Sequence, residues 1–232
     1  MNILNLFKGF NEQNKIRIVA FGSSVVERTV EGTHWFDCLD IALAREYGRI
    51  HQCLNCGHGG DTSRDLLMRI DAEVSPFKPN LTFIKIGGND TDPSVDLGPT
   101  EFKNNIKTIN KKLRTIGSKI VLMTYHLPLR QFYGIERIQK LQDFMSIIRE
   151  VAHEDNTYLI DDMKFWTQFS STHAKLHRKL IQDDVHLNRL GNLFLGLCLI
   201  DNLGLDVRIF DPIYCQEAIQ ILKSINESLK SS

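Results

Sequence analysis

Short β-branched apolar runs, separated by segments of helical period, constrain this chain more than any other feature. Residues 16–21 (IRIVAF), 81–86 (LTFIKI) and 119–124 (KIVLMT) read as buried strands, with shorter or weaker ones at 50–54 and 157–160. Between them apolar residues recur at helical spacing. Trp35, Phe36, Leu39, Ile41 and Leu43 do so within 33–47, and Leu66, Leu67 and Ile70 do so between Ser63 and Pro76. Helices are likewise expected over 100–116, 134–152, 187–200 and 213–229. Strands joined through helices pair in parallel, and a parallel sheet needs both faces covered. The expectation is an α/β fold: a three-layer α/β/α sandwich around a five-stranded parallel sheet.

No internal repeat or Pro/Gly-rich linker interrupts this alternation, so residues 1–232 read as a single domain. Residues 1–14 form an N-terminal extension. Residues 206–232 form a C-terminal helix whose Phe210, Ile213 and Tyr214 mark either a cap or the surface of a homodimer. Lys+Arg and Asp+Glu both number 28, so there is no net basic field to hold a nucleic acid. Charge balance points to a small or neutral substrate. Five cysteines (Cys38, Cys53, Cys56, Cys198 and Cys215) are an odd number in a chain with ample core, which argues against a disulfide framework. Residues 1–10 lack the pattern of a secretory signal, and no apolar stretch reaches the ~18 residues of a membrane span. A cytoplasmic protein without integral membrane association is expected.

In an open parallel sheet, ligands bind beyond the carboxyl ends of the strands. Gly22-Ser23-Ser24 follows the first strand, and residues 55–63 (NCGHGGDTS) follow the second. Gly87-Gly88-Asn89-Asp90 follows the third, and Asp183-Asp184-Val185-His186 precedes the helix at 187. Together these four segments resemble, in order, the blocks of the SGNH (GDSL) hydrolases. The first resembles Gly-Asp-Ser, and the second Asn-x-Gly-x-x-Gly-x-Thr through Asn55, Gly57, Gly60 and Thr62. The third resembles Gly-x-Asn-Asp, and the last Asp-x-x-His followed by Leu187 and Gly191. Trp35 also resembles the family pattern.

The resemblance implies a flavodoxin-like fold and a serine esterase without metal or organic cofactor. Ser24 would be the nucleophile, His186 its base and Asp183 the group orienting that base. The backbone N–H groups of Ser24 and Gly60 and the amide of Asn89 would form the oxyanion hole. Ser23 departs from the family's usual Asp, which leaves open how the nucleophile turn is held. Small acyl esters or sugar O-acetyl groups are the expected substrates. Thioesterase or lysophospholipase activity, acyl transfer through the same site, and a non-catalytic module that kept the fold are the rivals.

Other polar residues have plainer readings. Asp184 serves as a helix cap rather than as the orienting acid, and Asp90 as a turn residue. Cys53 and Cys56, with His51 and His58 nearby, lack the second ligand pair of a zinc site and read as buried thiols. His126 either lines the pocket or is an ordinary loop residue. His34, His153, His173 and His177 read as surface or helix-flank positions. The Lys103–Arg114 run reads as a solvated helix face.

Overall fold

A computed structural model of the chain describes residue 7, residues 9–208 and residues 212–230. Five strands, β1 (Ile16–Gly22), β2 (His51–Gly57), β3 (Leu81–Lys85), β4 (Lys119–Met123) and β5 (Tyr158–Ile160), form one parallel sheet in the order β2-β1-β3-β4-β5. The chain steps outward from β1 to β2 and then returns to the other side of β1, so the topological switch lies between β1 and β3. Strand β3 is buried along its whole length, as is β1 save for half-buried Arg17, so both read as continuous apolar runs.

Nine helices are described: α1 (Trp35–Tyr47), α2 (Ser63–Glu73), α3 (Pro99–Thr115), α4 (Arg130–Tyr133), α5 (Ile135–Glu154), α6 (Asp162–Thr172), α7 (Ala174–Leu180), α8 (Arg189–Asn202) and α9 (Pro212–Lys230). α2, α3 and α5 pack one on the next to make one outer layer, and α1, α8 and α9 make the other. Gly196 lets α8 approach α1 closely, since a Cβ there would lie 2.2 Å from Cys38 Sγ. α9 buries Ala218, Ile221, Leu222 and Ile225 against this layer. No helix among the described residues is long and apolar enough to cross a membrane.

The layered architecture is the expected one, and four details differ. β2 runs on to Gly57 because its polar end continues to pair in register with β1. The helix expected from 134 is preceded by the short α4, with Gly134 at φ +89° separating the two. α6 and α7 were not expected, because Ser170, Ser171 and Thr172 give that segment the look of a loop. Its buried stripe is Met163, Trp166 and Phe169. His177, expected near the surface, is buried and bonds through Nε2 to Leu127 O at 2.8 Å. Phe210 lies outside the described residues, as do the side chains of Ile213 and Tyr214 and most of residues 1–8.

Among the buried histidines are His34, His126 and His177. Burial disfavours their charged forms, lowering His34 to about 4, His126 to about 3, and His177 less far. An unfolded chain holds these side chains near ~6.5, so below that pH it binds protons the fold refuses. Their contribution to stability is complete above about pH 6.5 and is lost as the pH falls toward the folded values. Thermal midpoints should therefore drop between pH 6.5 and 4, and less steeply in His126→Gln. Equal slopes for the two proteins would contradict this account.

Candidate active site

The carboxyl ends of β1, β2 and β3 are nearly flush: Gly22 pairs with Gly57 on one side and Lys85 on the other. Both glycines are required by close approach. A Cβ on Gly22 would meet Lys85 O at 2.2 Å, and one on Gly57 would meet Glu27 N at 2.1 Å. The chain then turns tightly, with Val26 N and Glu27 N both donating to Ser23 O at 2.9 Å. Asn55 Nδ2 donates to Val26 O (2.7 Å), and the buried Trp35 Nε1 to Val25 O (2.7 Å). This fixes Ser24 half-buried at the mouth of the turn, while Ser23 is fully buried.

Facing Ser24 is the loop between α7 and α8. His186 Nε2 lies 2.9 Å from Ser24 Oγ, and His186 Nδ1 lies 2.8 Å from Asp183 Oδ2. A carboxylate accepts only, so this network assigns the proton to Nδ1 and leaves Nε2 as the acceptor for the serine hydroxyl. Asp183 Oδ1 also accepts from the backbone N–H groups of Val185 (2.9 Å) and His186 (2.8 Å). Partial burial works against the charge on Asp183, but these donors outweigh it and hold the carboxyl well below the usual range. The loop is pinned from several sides. Gln182 N donates to His186 O, Leu129 N to Asp184 O, and His126 Nε2 to Val185 O at 2.6 Å. His126 is thus neither a pocket wall nor an idle loop residue: it is buried behind the loop and grips it. The cap of α8 is Asn188, whose Oδ1 accepts from Gly191 N at 3.0 Å, and not Asp184 as expected.

The second and third segments sit beside the turn. Gly60 has φ +86°, a conformation that favours glycine. Asn89 Nδ2 donates to Asp61 O at 2.9 Å, which orients the amide and leaves its second hydrogen free for a ligand. Asp90 is buried and accepts from Ser63 N at 2.8 Å, anchoring this loop to the start of α2. Among the described residues, the N–H groups of Ser24 and Gly60 are not given to any protein acceptor. Ser24, Asp183 and His186 share a cleft of about 540 Å³ with Thr29, Glu31, Gln182 and Arg189. A larger hollow of about 870 Å³ lies beyond Leu127–Leu129, between α5 and α6–α7, but it contains none of the three. Chemistry rather than size makes the smaller cleft the candidate.

The thiols of Cys53 and Cys56 part company. Cys56 Sγ faces Glu73 O, whereas Cys53 lies with Asp40 and His51, their donor atoms within 4.8 Å of one another. These could hold a metal by donor type, but His51 Nε2 is bonded to Asp40 at 2.7 Å, and burial pushes the Cys53 thiol far above its usual range. This group lies at the far end of β2 from the cleft.

The sequence-predicted residues Ser24, Gly60, Asn89, Asp183 and His186 are therefore gathered at one sheet edge. Sequence reasoning missed Arg69, whose Nη2 donates to Gly22 O and Cys56 O at the ends of β1 and β2, and saw no definite role for His126; neither has a local motif, and only the fold shows what they hold.

A family model described as GDSL-like lipase/acylhydrolase matches residues 20–193. Esterase TesA of Pseudomonas aeruginosa is 31% identical over 126 residues, covering 54% of this chain and 59% of that protein. The rice GDSL esterase/lipase WDL1 is 34% identical over 110 residues, covering 44% and 41%. The chain spans about half the length of the curated relatives it matches. Among solved structures, the acetylxylan esterase Axe2 of Geobacillus stearothermophilus superposes with a TM-score of 0.72 at 19% identity, covering 82% of this chain and 95% of its own. A lipase/acylhydrolase of Enterococcus faecalis gives 0.68 at 20% identity, covering 82% and 97%.

Gly57→Ala tests the flush strand ends. Its Cβ would press on main chain that has no room to yield, and such overpacking costs about 1–3 kcal/mol. The thermal midpoint should fall by roughly 2–10 °C; a midpoint unchanged from wild type would show that the turn is looser than described.

Proposed function

The chain belongs to the GDSL-like lipase/acylhydrolase family, and we propose that it hydrolyses small carboxylic esters of polar alcohols through an acyl-Ser24 intermediate. The observation that carries this reading is the continuous line Asp183–His186–Ser24, at 2.8 and 2.9 Å, opening on a cleft with unspent donors beside it. A serine hydroxyl becomes a competent nucleophile only when a base takes its proton. His186 Nε2 takes it as Ser24 Oγ attacks the acyl carbon. The ionised Asp183 stabilises the imidazolium that results without taking the proton.

Charge moves onto the carbonyl oxygen as the acyl carbon becomes tetrahedral. The N–H groups of Ser24 and Gly60 and the second amide hydrogen of Asn89 receive it, each such donor contributing about 3 kcal/mol to the barrier reduction. The imidazolium then hands its proton to the departing alkoxide, and the alcohol leaves. Water, deprotonated by the same nitrogen, attacks the acyl-enzyme and returns Ser24 with a free acid.

The lining supports a hydrophilic alcohol. Thr29, Glu31, Gln182 and Arg189 present hydroxyl, carboxylate, amide and guanidinium groups next to Ser24, and such groups recognise hydroxyls better than hydrocarbon. Short-acyl esters, including O-acetylated sugars, are the class these groups suit; the acetylxylan esterases among its relatives point the same way.

Turnover of nitrophenyl esters from acetate to long chain should fall with acyl length and drop at least about a thousand-fold in Ser24→Ala. Acetylated xylo-oligosaccharides should release free acetate. Asp183→Asn should lose roughly a thousand- to ten-thousand-fold in kcat, while Asp184→Asn stays close to wild type. Wild-type turnover in Ser24→Ala would end the serine reading, and a preference for long acyl chains would end the substrate reading.

A further inference from the structure

The three oxyanion donors belong to three different loops, and one buried side chain reaches the supports of all of them. Arg69 projects from α2 beneath the site and is only 11% exposed. Its Nη2 donates to Gly22 O (3.0 Å) and Cys56 O (2.9 Å), the backbone at the ends of β1 and β2. Its Nε donates to Asp61 Oδ2 at 2.6 Å and its Nη1 to Glu73 Oε2 at 2.7 Å. Its guanidinium carbon lies 4.6 Å from the centre of the Phe21 ring, which fixes the plane of the fork.

Each contact bears on a donor. Gly22 stands two residues before Ser24, and its carbonyl also takes the N–H of His58, at the start of the oxyanion loop. Asp61 follows Gly60 directly, and its carbonyl accepts Asn89 Nδ2. We propose that Arg69 is a positioning residue that locks the nucleophile turn to the oxyanion loop, setting the mutual distances of the Ser24, Gly60 and Asn89 donors. The proposal rests on the serine-esterase reading of the site.

Two alternatives are weaker on the same observations. An anion-binding arginine would hold donors toward the cleft, but this one is spent on two carboxylates and two carbonyls. A purely structural ion pair would need only the carboxylates, whereas the Nη2 contacts reach main chain of two adjacent strands. Lysine, a point charge without a planar fork, reaches only part of this set.

Donors displaced by about 1 Å from productive geometry cost on the order of a hundred-fold in rate. Arg69→Ala should therefore lower kcat by about that factor with KM changed little, and should slow phosphonylation of Ser24 by a small organophosphonate in parallel. Added guanidinium ion, at millimolar concentrations that leave the thermal midpoint unchanged, should restore part of kcat in Arg69→Ala and none in wild type. Arg69→Lys, which keeps the charge beside Asp61 and Glu73, should fold and show a smaller fall in kcat. It serves as the test if the alanine variant does not fold.

Wild-type kcat in a folded Arg69 variant would overturn the proposal. So would a loss of activity that follows the folded fraction alone and is untouched by guanidinium. Ser24→Ala run alongside separates the two levels. Inactive Ser24→Ala with fully active Arg69→Ala removes the clamp and keeps the serine mechanism, whereas active Ser24→Ala removes both.

Discussion

The carboxyl end of β1 is squeezed between two neighbours, and the groups of the site take their places from that squeeze. Gly22 pairs with Gly57 and Lys85, leaving no room for a side chain on either glycine. Because the three strands stop at nearly one level, the loops that follow them leave the sheet side by side. Parallel pairing at a topological switch opens a crevice at this point; here it is filled by Ser24, Gly60 and Asn89 rather than by apolar side chains. A bulkier residue at either glycine would push the loops apart, and the distances that matter for chemistry would be lost before the core noticed.

Beneath this edge lies a buried charge pair. Lys85, last residue of β3, is fully buried and donates to Asp162 Oδ2 and Thr124 O, both at 2.6 Å. Burial drives the lysine down and the aspartic acid up, and each partner opposes the other's neutralisation. Such a pair gains little net stability against an apolar replacement, though losing one partner is expensive. Its geometry ties β3 and the end of β4 to α6. Lys85 also disfavours protonation of His126, after burial itself. His126 therefore stays neutral, with one ring proton to give to the Val185 carbonyl next to His186. The charge pair and the Asp183–His186 loop are joined through that histidine.

Much of this was legible in the chain itself, for local reasons. Strands 16–21, 81–86 and 119–124 announce themselves as β-branched runs because both faces of a central parallel strand are covered. Glycines and short polar residues after strands mark the loops, and the three-residue spacing of Asp183 and His186 suits a single turn. What escaped were relations between distant segments. α6 and α7 are short, polar at their junction, and helical chiefly because Trp166, Phe169 and His177 pack inward. Arg69 resembles any solvent-facing helix cation until the fold places it under Gly22 and Asp61. His177 and His34 looked peripheral because histidine carries no sign of burial in its immediate neighbours.

Ser23 shows how a departure from a family pattern can be absorbed. The turn's hydrogen bonds come from the carbonyl of residue 23, which accepts Val26 N and Glu27 N, not from its side chain. Asn55, Trp35 and His58 hold the neighbouring carbonyls. The side chain itself is sealed, with no exposed surface. A carboxylate in that position would lose its hydration and would require its charge to be met inside the protein. A hydroxyl carries no charge, so burying it costs far less. The turn that carries Ser24 is therefore held by main-chain hydrogen bonds that do not use the side chain of residue 23, and the small neutral side chain there is buried at little cost.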